Sequence, residues 1–326
     1  MICGGAGFIG SNLVKALLEN GDKVIVLDDF SVGKLSNLNI ISPYDLESNE
    51  NLTVVLGSVL DLNLMYSLAM QVDVIYHLAV QCLVKCNEDP KLGHETNDTG
   101  TFNVCLAAKK FNVKIVYISS SEVYGTAKSS PMMEAHPTEP QSIYGLTKLV
   151  GEQYVSMFNK YHGVPAVIIR PFNSYGPNHR GDQYAAVLTN FIKRVLRREP
   201  LVIHGDGEQS RDLTYVSDTV QGIILLSELK DGEIVNIGSG ESVTINDLAK
   251  IVSTIAGEPL RVMNEPARIN DVFKLEADIS LARKYGYSPK VTLREGIKRY
   301  LEWYKKTEAI KSAKNLPYRT SLWMVC

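Results

Sequence analysis

Five short runs of apolar, largely β-branched residues recur through the first half of the chain. They are VIVLD (Val24 to Asp28), LTVVL (Leu52 to Leu56), VDVIYHLA (Val72 to Ala79), VKIVYIS (Val113 to Ser119) and PAVIIRP (Pro165 to Pro171). Runs that are apolar throughout, rather than alternating, mark strands covered on both faces, the condition inside a parallel sheet flanked by helices. The stretches between them carry a 3.6-residue period and predict helices over Phe8 to Glu19, Thr96 to Phe111 and Ser142 to Tyr161. The expected architecture is α/β, a doubly wound parallel sheet.

After Pro171 the pattern loosens into Gly, Pro and Asn turns, with a helix near Tyr184 to Arg198 and a strand from Leu201 to Gly205. This reads as a smaller α/β lobe. The division expected is 1–171 for the sheet, with some later segments returning to it, and 172–326 mainly for the second lobe. The final stretch, Leu316 to Cys326, has apolar residues without helical period and is expected to pack on the body. No repeat of solenoid period and no low-complexity segment interrupts the chain.

Composition narrows the function classes. Thirty-four Lys and Arg against 36 Asp and Glu give a net charge of −2, and the pI is near 6.3. With no long basic run, nucleic acid is not an expected partner. No apolar stretch reaches the ~20 residues that span a bilayer, and Met1 to Gly10 lack the pattern of a signal peptide, so a cytoplasmic protein with no membrane partner is expected. Cys3, Cys82, Cys86, Cys105 and Cys326 form no CxxC pair and have no zinc-like spacing with His. They read as reduced thiols, and no metal site is expected.

GGAGFIG places Gly4, Gly7 and Gly10 at intervals of three, directly before a helix. Small residues there permit a tight turn and let backbone N–H groups approach a pyrophosphate at the helix N-terminus. Asp28 ends the next strand at the distance where a carboxylate accepts hydrogen bonds from a ribose hydroxyl. With Asp29 beside it, a 2′-phosphate is repelled, which favours NAD over NADP. Only Met1, Ile2 and Cys3 precede the glycines, so the central strand is either short or lacks its start in this numbering.

Further on, YISSSEVYG (Tyr117 to Gly125) leaves the fourth apolar run, and YGLTK (Tyr144 to Lys148) opens the following helix. Residues four apart share one helix face. A Lys ammonium near a phenol favours phenolate and is expected to draw the Tyr144 pKa down from about 10 toward working pH, making Tyr144 a proton acceptor. Ser120, at the C-terminal edge of the sheet where open α/β folds bind ligands, can hydrogen-bond the same substrate hydroxyl.

GGAGFIG, HLAVQ (His77 to Gln81), NDTGT (Asn97 to Thr101), SSSEVYG, YGLTK, RPFNSYGP (Arg170 to Pro177) and GDGEQSRDLTYVSD (Gly205 to Asp218) occur in this order. Together they resemble the extended short-chain dehydrogenase/reductases that act on nucleotide sugars, over nearly the whole chain. The resemblance implies a Rossmann sheet binding NAD through Gly4, Gly7, Phe8, Ile9, Gly10, Asp28, Ser58, Val59, Leu78, Ala79, Tyr144 and Lys148. It implies Tyr144 as catalytic base, Lys148 as its partner and Ser120 on the sugar hydroxyl. Asn173, Arg211 and Arg268 match contacts to the nucleotide diphosphate, and guanidinium forks pair well with phosphate. Cys3 stands where the family usually has Thr, and Ser58 replaces an Asp often set against the adenine amino group. A homodimer built on the helices that precede and carry Tyr144 is also implied. No role is assigned to His77, His179 or His204.

The reaction implied begins with oxidation of a UDP-, GDP- or dTDP-hexose at C4. A 4-epimerase then needs no second acid or base, whereas a 4,6-dehydratase needs a carboxylate to remove the C5 proton. Glu122 supplies one two positions after Ser120, in an arrangement similar to the Thr-Ser-Glu of GDP-mannose 4,6-dehydratases and also found in UDP-glucuronate decarboxylases. The expectation is a 4,6-dehydratase with Glu122 as the C5 base. The alternative is a UDP-sugar 4-epimerase, with a decarboxylase or a non-catalytic NAD-binding regulator behind it.

Overall fold

The computed structural model describes residues 1–39, 50–179, 181, 186–229, 231–267 and 273–314. In chain order the first strands are β1 (Ile2–Cys3), β2 (Val24–Asp28), β3 (Leu52–Leu56), β4 (Val74–His77), β5 (Lys114–Ile118) and β6 (Ala166–Pro171). Next come β7 (Asn173–Tyr175), β8 (Leu201–His204) and β9 (Ser210–Tyr215), and then β10 (Asp231–Ile237), which turns back to pair with β6. The main sheet has seven strands in the order β10-β6-β5-β4-β1-β2-β3, and every neighbouring pair is parallel. This is a Rossmann-like α/β fold. Strand order runs outward in both directions from β1, so the connections after β1 and β4 leave on opposite faces and open a crevice at the C-terminal edge.

Both faces of the sheet are buried, which explains the continuous apolar runs. Ile2, Val116, Ile118, Val167 and Ile169 enter one core with the helices Phe8–Glu19 and Val216–Leu226. Their sequence neighbours Cys3, Ile115, Tyr117, Ala166 and Ile168 enter the other, with the helices Leu62–Ala69, Gly100–Phe111 and Ile143–His162. Two-residue alternation therefore persists, but apolar side chains are required on both sides. Fully burying one such side chain contributes about 1.5–3 kcal/mol.

Two strands are short. The central strand β1 has two residues, yet it pairs with β2 and β4 together, and the Met1 amino group donates to the Val74 carbonyl at 2.7 Å. Strand β4 ends at His77 rather than Ala79, because the chain must leave the sheet to cross Gly4: a Cβ on Gly4 (φ +78°) would lie 2.7 Å from the Ala79 nitrogen. The helix predicted from Thr96 starts as a π turn, Glu95–Thr99, and becomes α-helical only over Gly100–Phe111.

The second lobe holds a sheet of β7, β9, β11 (Ser242–Thr244) and β13 (Lys274–Leu275), and a pair of β8 with β12 (Val262–Glu265). Tyr175, Phe191, Tyr215, Leu248 and Tyr300 form its core with the helices Val187–Leu196, Ile245–Ala256 and Leu293–Lys314. The tail Leu316 to Cys326 lies outside the described residues. Among those described, no helix is long and apolar enough to cross a membrane, and no cluster of side chains could hold a metal ion.

Candidate active site

The glycine turn leads from β1 into the helix Phe8–Glu19, whose N-cap, Gly7, offers no side-chain acceptor. A Cβ on Gly10 would come within 2.2 Å of the Gly4 carbonyl oxygen, so only glycine lets the first helical turn close on the loop. Asp28 is 7% exposed at the end of β2. Its Oδ2 accepts the Ala6 amide at 2.8 Å and its Oδ1 the Phe30 amide at 2.9 Å, joining the glycine turn to the loop after β2. Burial pushes its carboxyl up from the ordinary value against these amides. A helix start without a side-chain cap, reached through glycines that admit no Cβ, beside a buried carboxylate, fits a dinucleotide: amides face the pyrophosphate and Asp28 the ribose.

Phe8 and Ile9 are half-buried in that first turn, and Leu78 and Ala79 are half-buried where the chain leaves β4. Beyond β3, the Ser58 hydroxyl accepts the Leu60 amide at 3.2 Å, and the buried Val59 presents its carbonyl to Asn103 at 3.0 Å. The Phe8 ring meets the His179 ring at 4.5 Å. Asn12 donates to the Pro177 carbonyl and Asn178 to the Ser11 hydroxyl, both at 3.0 Å, which ties the YGPNH segment of the second lobe to the dinucleotide helix.

At the neighbouring strand end, Ser120 follows β5 and caps a single 3₁₀ turn, Ser121–Val123, by accepting the Glu122 amide at 3.2 Å. The helix Ile143–His162 starts at Ser142, whose hydroxyl accepts the Gly145 amide, and stops at Gly163 in the left-handed region. That start sets Tyr144 in the first turn, where the Ser120 side chain lies close enough to its hydroxyl to favour the phenolate. Gly145 is required there, since a Cβ would lie 2.6 Å from the Glu122 carbonyl. Lys148, one turn on, is 3% exposed, with Nζ 4.3 Å from the Tyr117 ring centre. Ser120, Glu122, Tyr144 and Lys148 are thus brought to one edge.

The electrostatics correct one expectation. Burial pushes the Tyr144 phenol well above its ordinary value, assisted by the Glu122 carboxylate and opposed by Ser120. Burial also pulls Lys148 down to about 7, against the pull of Glu152, Cys86 and Asp98. The phenol is not drawn toward neutral pH, because desolvation penalises phenolate and ammonium alike and outweighs what the lysine offers the tyrosine.

Sequence reasoning missed the scaffold beneath these groups. Glu152 and Arg170, 1% and 3% exposed, pair through two hydrogen bonds, Nε to Oε1 at 2.8 Å and Nη2 to Oε2 at 2.6 Å. Ser119 donates to Glu152 Oε1 at 2.5 Å, Arg170 Nη1 donates to the Tyr124 hydroxyl at 2.8 Å, and Tyr124 donates to Asn236 at 2.6 Å. The network joins β5, the tyrosine helix, β6 and β10, and brackets Ser120 and Glu122 between anchored neighbours. Lys148 and Glu152 at i, i+4 were a visible signal, but the partner Arg170 is distant in sequence.

Asn173 opens β7 directly after β6, and its amide donates to the Asp212 carbonyl at 3.3 Å. Arg211, half-buried on β9, donates to the Ser210 carbonyl at 2.9 Å. Both line a cavity of about 470 Å³ with Lys193, Arg194, Val202 and His204, a size suited to a small molecule. Lys193, Arg194, Arg197 and Arg211 outnumber Glu199 and Glu265 on its wall, and that positive excess suits a diphosphate. The neighbouring Asp212 is committed elsewhere, accepting from Ser239, Gly240 and Ala277. Arg268 lies outside the described residues.

A parallel sheet with a glycine turn at its switch point, and a Ser-Tyr-Lys set on the next strand and helix, defines a dinucleotide-dependent enzyme of the short-chain dehydrogenase type. The chain belongs to the NAD dependent epimerase/dehydratase family, whose model matches residues 1–238. Its structure is similar to that of the Thermotoga maritima UDP-glucose 4-epimerase with UDP-glucose, at a TM-score of 0.88 and 34% identity over 94% of this chain and 98% of that one. A UDP-N-acetyl-alpha-D-glucosaminuronate decarboxylase of Bacillus cytotoxicus is 32% identical over 94% of this chain and 98% of its own. The dTDP-glucose 4,6-dehydratase DesIV of Streptomyces venezuelae, with NAD bound, gives a TM-score of 0.87 at 28% identity, covering 95% of this chain and 97% of that one. The relatives thus span epimerases, decarboxylases and dehydratases, and lend the expected 4,6-dehydratase no specific support.

Proposed function

We propose that the protein is an NAD-dependent UDP-sugar 4-epimerase that oxidises its substrate transiently at C4. The observation that carries this is Tyr144 set beside Ser120 and one helical turn from Lys148, at the strand edge beside the glycine turn. NAD, when bound, supplies the hydride acceptor and donor. Tyr144 takes the proton of the C4 hydroxyl, while Ser120 holds the same oxygen. Tyr144 does this from its phenolate form, which the Lys148 charge stabilises, and such a positioned base contributes about 10²–10⁴-fold. Asp28 and the amides of the Phe8–Glu19 start hold the cofactor, with Phe8, Ile9, Ser58, Val59, Leu78 and Ala79 around it. Asn173, Arg211 and the cationic wall of the cavity hold the diphosphate. Tyr144 returns to the product the proton it removed, so epimerisation requires no further acid or base.

Glu122 favours a second reading, 4,6-elimination. Its carboxylate bears on the Tyr144 hydroxyl electrostatically, where it can take a C5 proton acidified by a C4 ketone. The 34% identity of this chain to a UDP-glucose 4-epimerase, against 28% to a dTDP-glucose 4,6-dehydratase, supports the first reading over this one. We further propose a homodimer. Leu146, Met157 and Tyr161 on the tyrosine helix and Phe102 on the helix before it are exposed, an apolar stripe that a second copy would cover.

The test is to incubate the protein and its Glu122→Gln variant with UDP-glucose, UDP-N-acetylglucosamine, UDP-glucuronate and dTDP-glucose, reading products by NMR. Inversion at C4 by both proteins is expected. A new C6 methyl signal that vanishes in Glu122→Gln transfers the assignment to the dehydratase, and absence of any product ends the enzymatic reading.

A further inference from the structure

The turn before the helix Gly100–Phe111 is wound as a π-helix, and its side chains face the tyrosine helix. Asn97 donates to Thr147, the residue before Lys148, at 2.9 Å and receives the Gln81 amide at 2.7 Å. π turns recur at functional positions because they re-aim side chains that an α-helix would direct elsewhere. Here the re-aimed residue is Asp98, 9% exposed. Its Oδ2 bonds His94 Nδ1 at 2.8 Å, and the His94 side chain is 66% exposed. Its Oδ1 is buried with no hydrogen-bond partner among the described residues. A buried carboxylate oxygen without a donor is costly unless a positive charge is near.

Lys148 is the positive charge that bears on Asp98 electrostatically, across the packing of the π turn on the tyrosine helix where Asn97 meets Thr147. Around it stand Tyr144 and Glu152 on its own helix, Cys86 on the helix Leu83–Glu88, His77 at the end of β4, Tyr117 on β5 and Asp98 on the π turn. Burial disfavours the charged form of most of these. Burial holds the Cys86 thiol up at about 11, the Tyr117 and Tyr144 phenols well above their ordinary values, and His77 down at about 3. Glu152 is taken by Arg170 through both oxygens. Asp98 is the remaining carboxylate.

We propose that Asp98 is a positioning residue that serves as counter-ion to Lys148 and keeps it protonated under working conditions, with the exposed His94 holding Asp98 ionised. Burial raises the Asp98 carboxyl, and the His94 hydrogen bond and the Lys148 charge work against that rise. Surface chemistry at His94 therefore reaches the buried ammonium through one carboxylate. The inference rests on Lys148 acting beside Tyr144, but the charge state of Lys148 is observable without turnover.

The experiment follows the side-chain NMR signals of lysine-labelled full-length protein against pH, assigning Lys148 by its loss in Lys148→Met. The alkaline limb of turnover on the UDP-sugar found active is measured in parallel. Asp98→Asn is near-isosteric and is expected to lower the Lys148 midpoint by about one pH unit, with the alkaline limb moving the same way. His94→Gln, at an exposed position, shifts both less in the same direction, and adds nothing when combined with Asp98→Asn, because His94 acts only through the carboxylate. An unmoved Lys148 midpoint in Asp98→Asn overturns the proposal, as does a His94→Gln shift that persists in the Asp98→Asn background. Absence of turnover with intact NMR shifts refutes the enzymatic reading and leaves this inference standing.

Discussion

Replacing Arg170 with Met would strip the buried Glu152 carboxylate of two charge-assisted hydrogen bonds, leaving Ser119 as its donor in the network described. Both side chains are at most 3% exposed, so water does not replace the lost guanidinium. Removing one partner of such a pair costs about 3–5 kcal/mol, because the other charge stays buried without compensation. For a chain of this length, the unfolding entropy of about 2 cal/mol/K per residue turns this into a fall of roughly 4–7 °C in the unfolding midpoint. The double variant Glu152→Leu with Arg170→Met removes both charges and should regain most of the loss. Turnover should stay low in both, since Ser119 and Tyr124, the anchored neighbours of Ser120 and Glu122, have lost their common support. Urea and thermal unfolding of the two variants, with activity measured alongside, make the comparison. A single variant as stable as the parent, or a double variant less stable than the single, would refute the reasoning.

Two further outcomes concern the tyrosine helix. Tyr144→Phe should lower turnover by about 10²–10⁴-fold while leaving NAD affinity nearly intact, since the glycine turn and Asp28 lie on other strands; turnover near the parent rate removes Tyr144 from the mechanism. Lys148 holds its proton to about 10.5 when exposed and to about 7 in the fold, so between these values unfolding takes up a proton and the group makes stability rise with pH, by up to about 1.4 kcal/mol per pH unit. Lys148→Met abolishes that contribution, and urea unfolding from pH 7 to 9.5 should show a smaller rise than in the parent. Equal slopes would mean that Lys148 is not buried as a depressed cation.

Much of the fold was legible in one dimension because its determinants are local. Apolar runs fitted to two buried faces, helical periods between them, and glycines where a Cβ cannot fit act over a few residues. The positions of Gly4, Gly10 and Asp28, and the i, i+4 relation of Tyr144 and Lys148, follow from that local chemistry. What the local pattern misjudged is instructive. The Lys148 charge was expected to draw the Tyr144 phenol down, yet its effect is set by how much water the fold excludes around both, and desolvation prevails.

The rest belongs to the assembled chain. The central strand β1 is paired by β2 and β4 on its two sides, and β10 joins the main sheet after an excursion through the second lobe. The Glu152–Arg170–Tyr124–Asn236 network draws its members from four separate segments, and the bare oxygen of Asp98 acquires meaning only beside Lys148. Periodicity and turn chemistry dictate which segments become strands and helices, whereas burial is a property of the packed whole. Ion pairing and proton affinity depend on burial, so the sequence by itself determined the candidate site side chains and their order, and only the tertiary structure decided their charges and support.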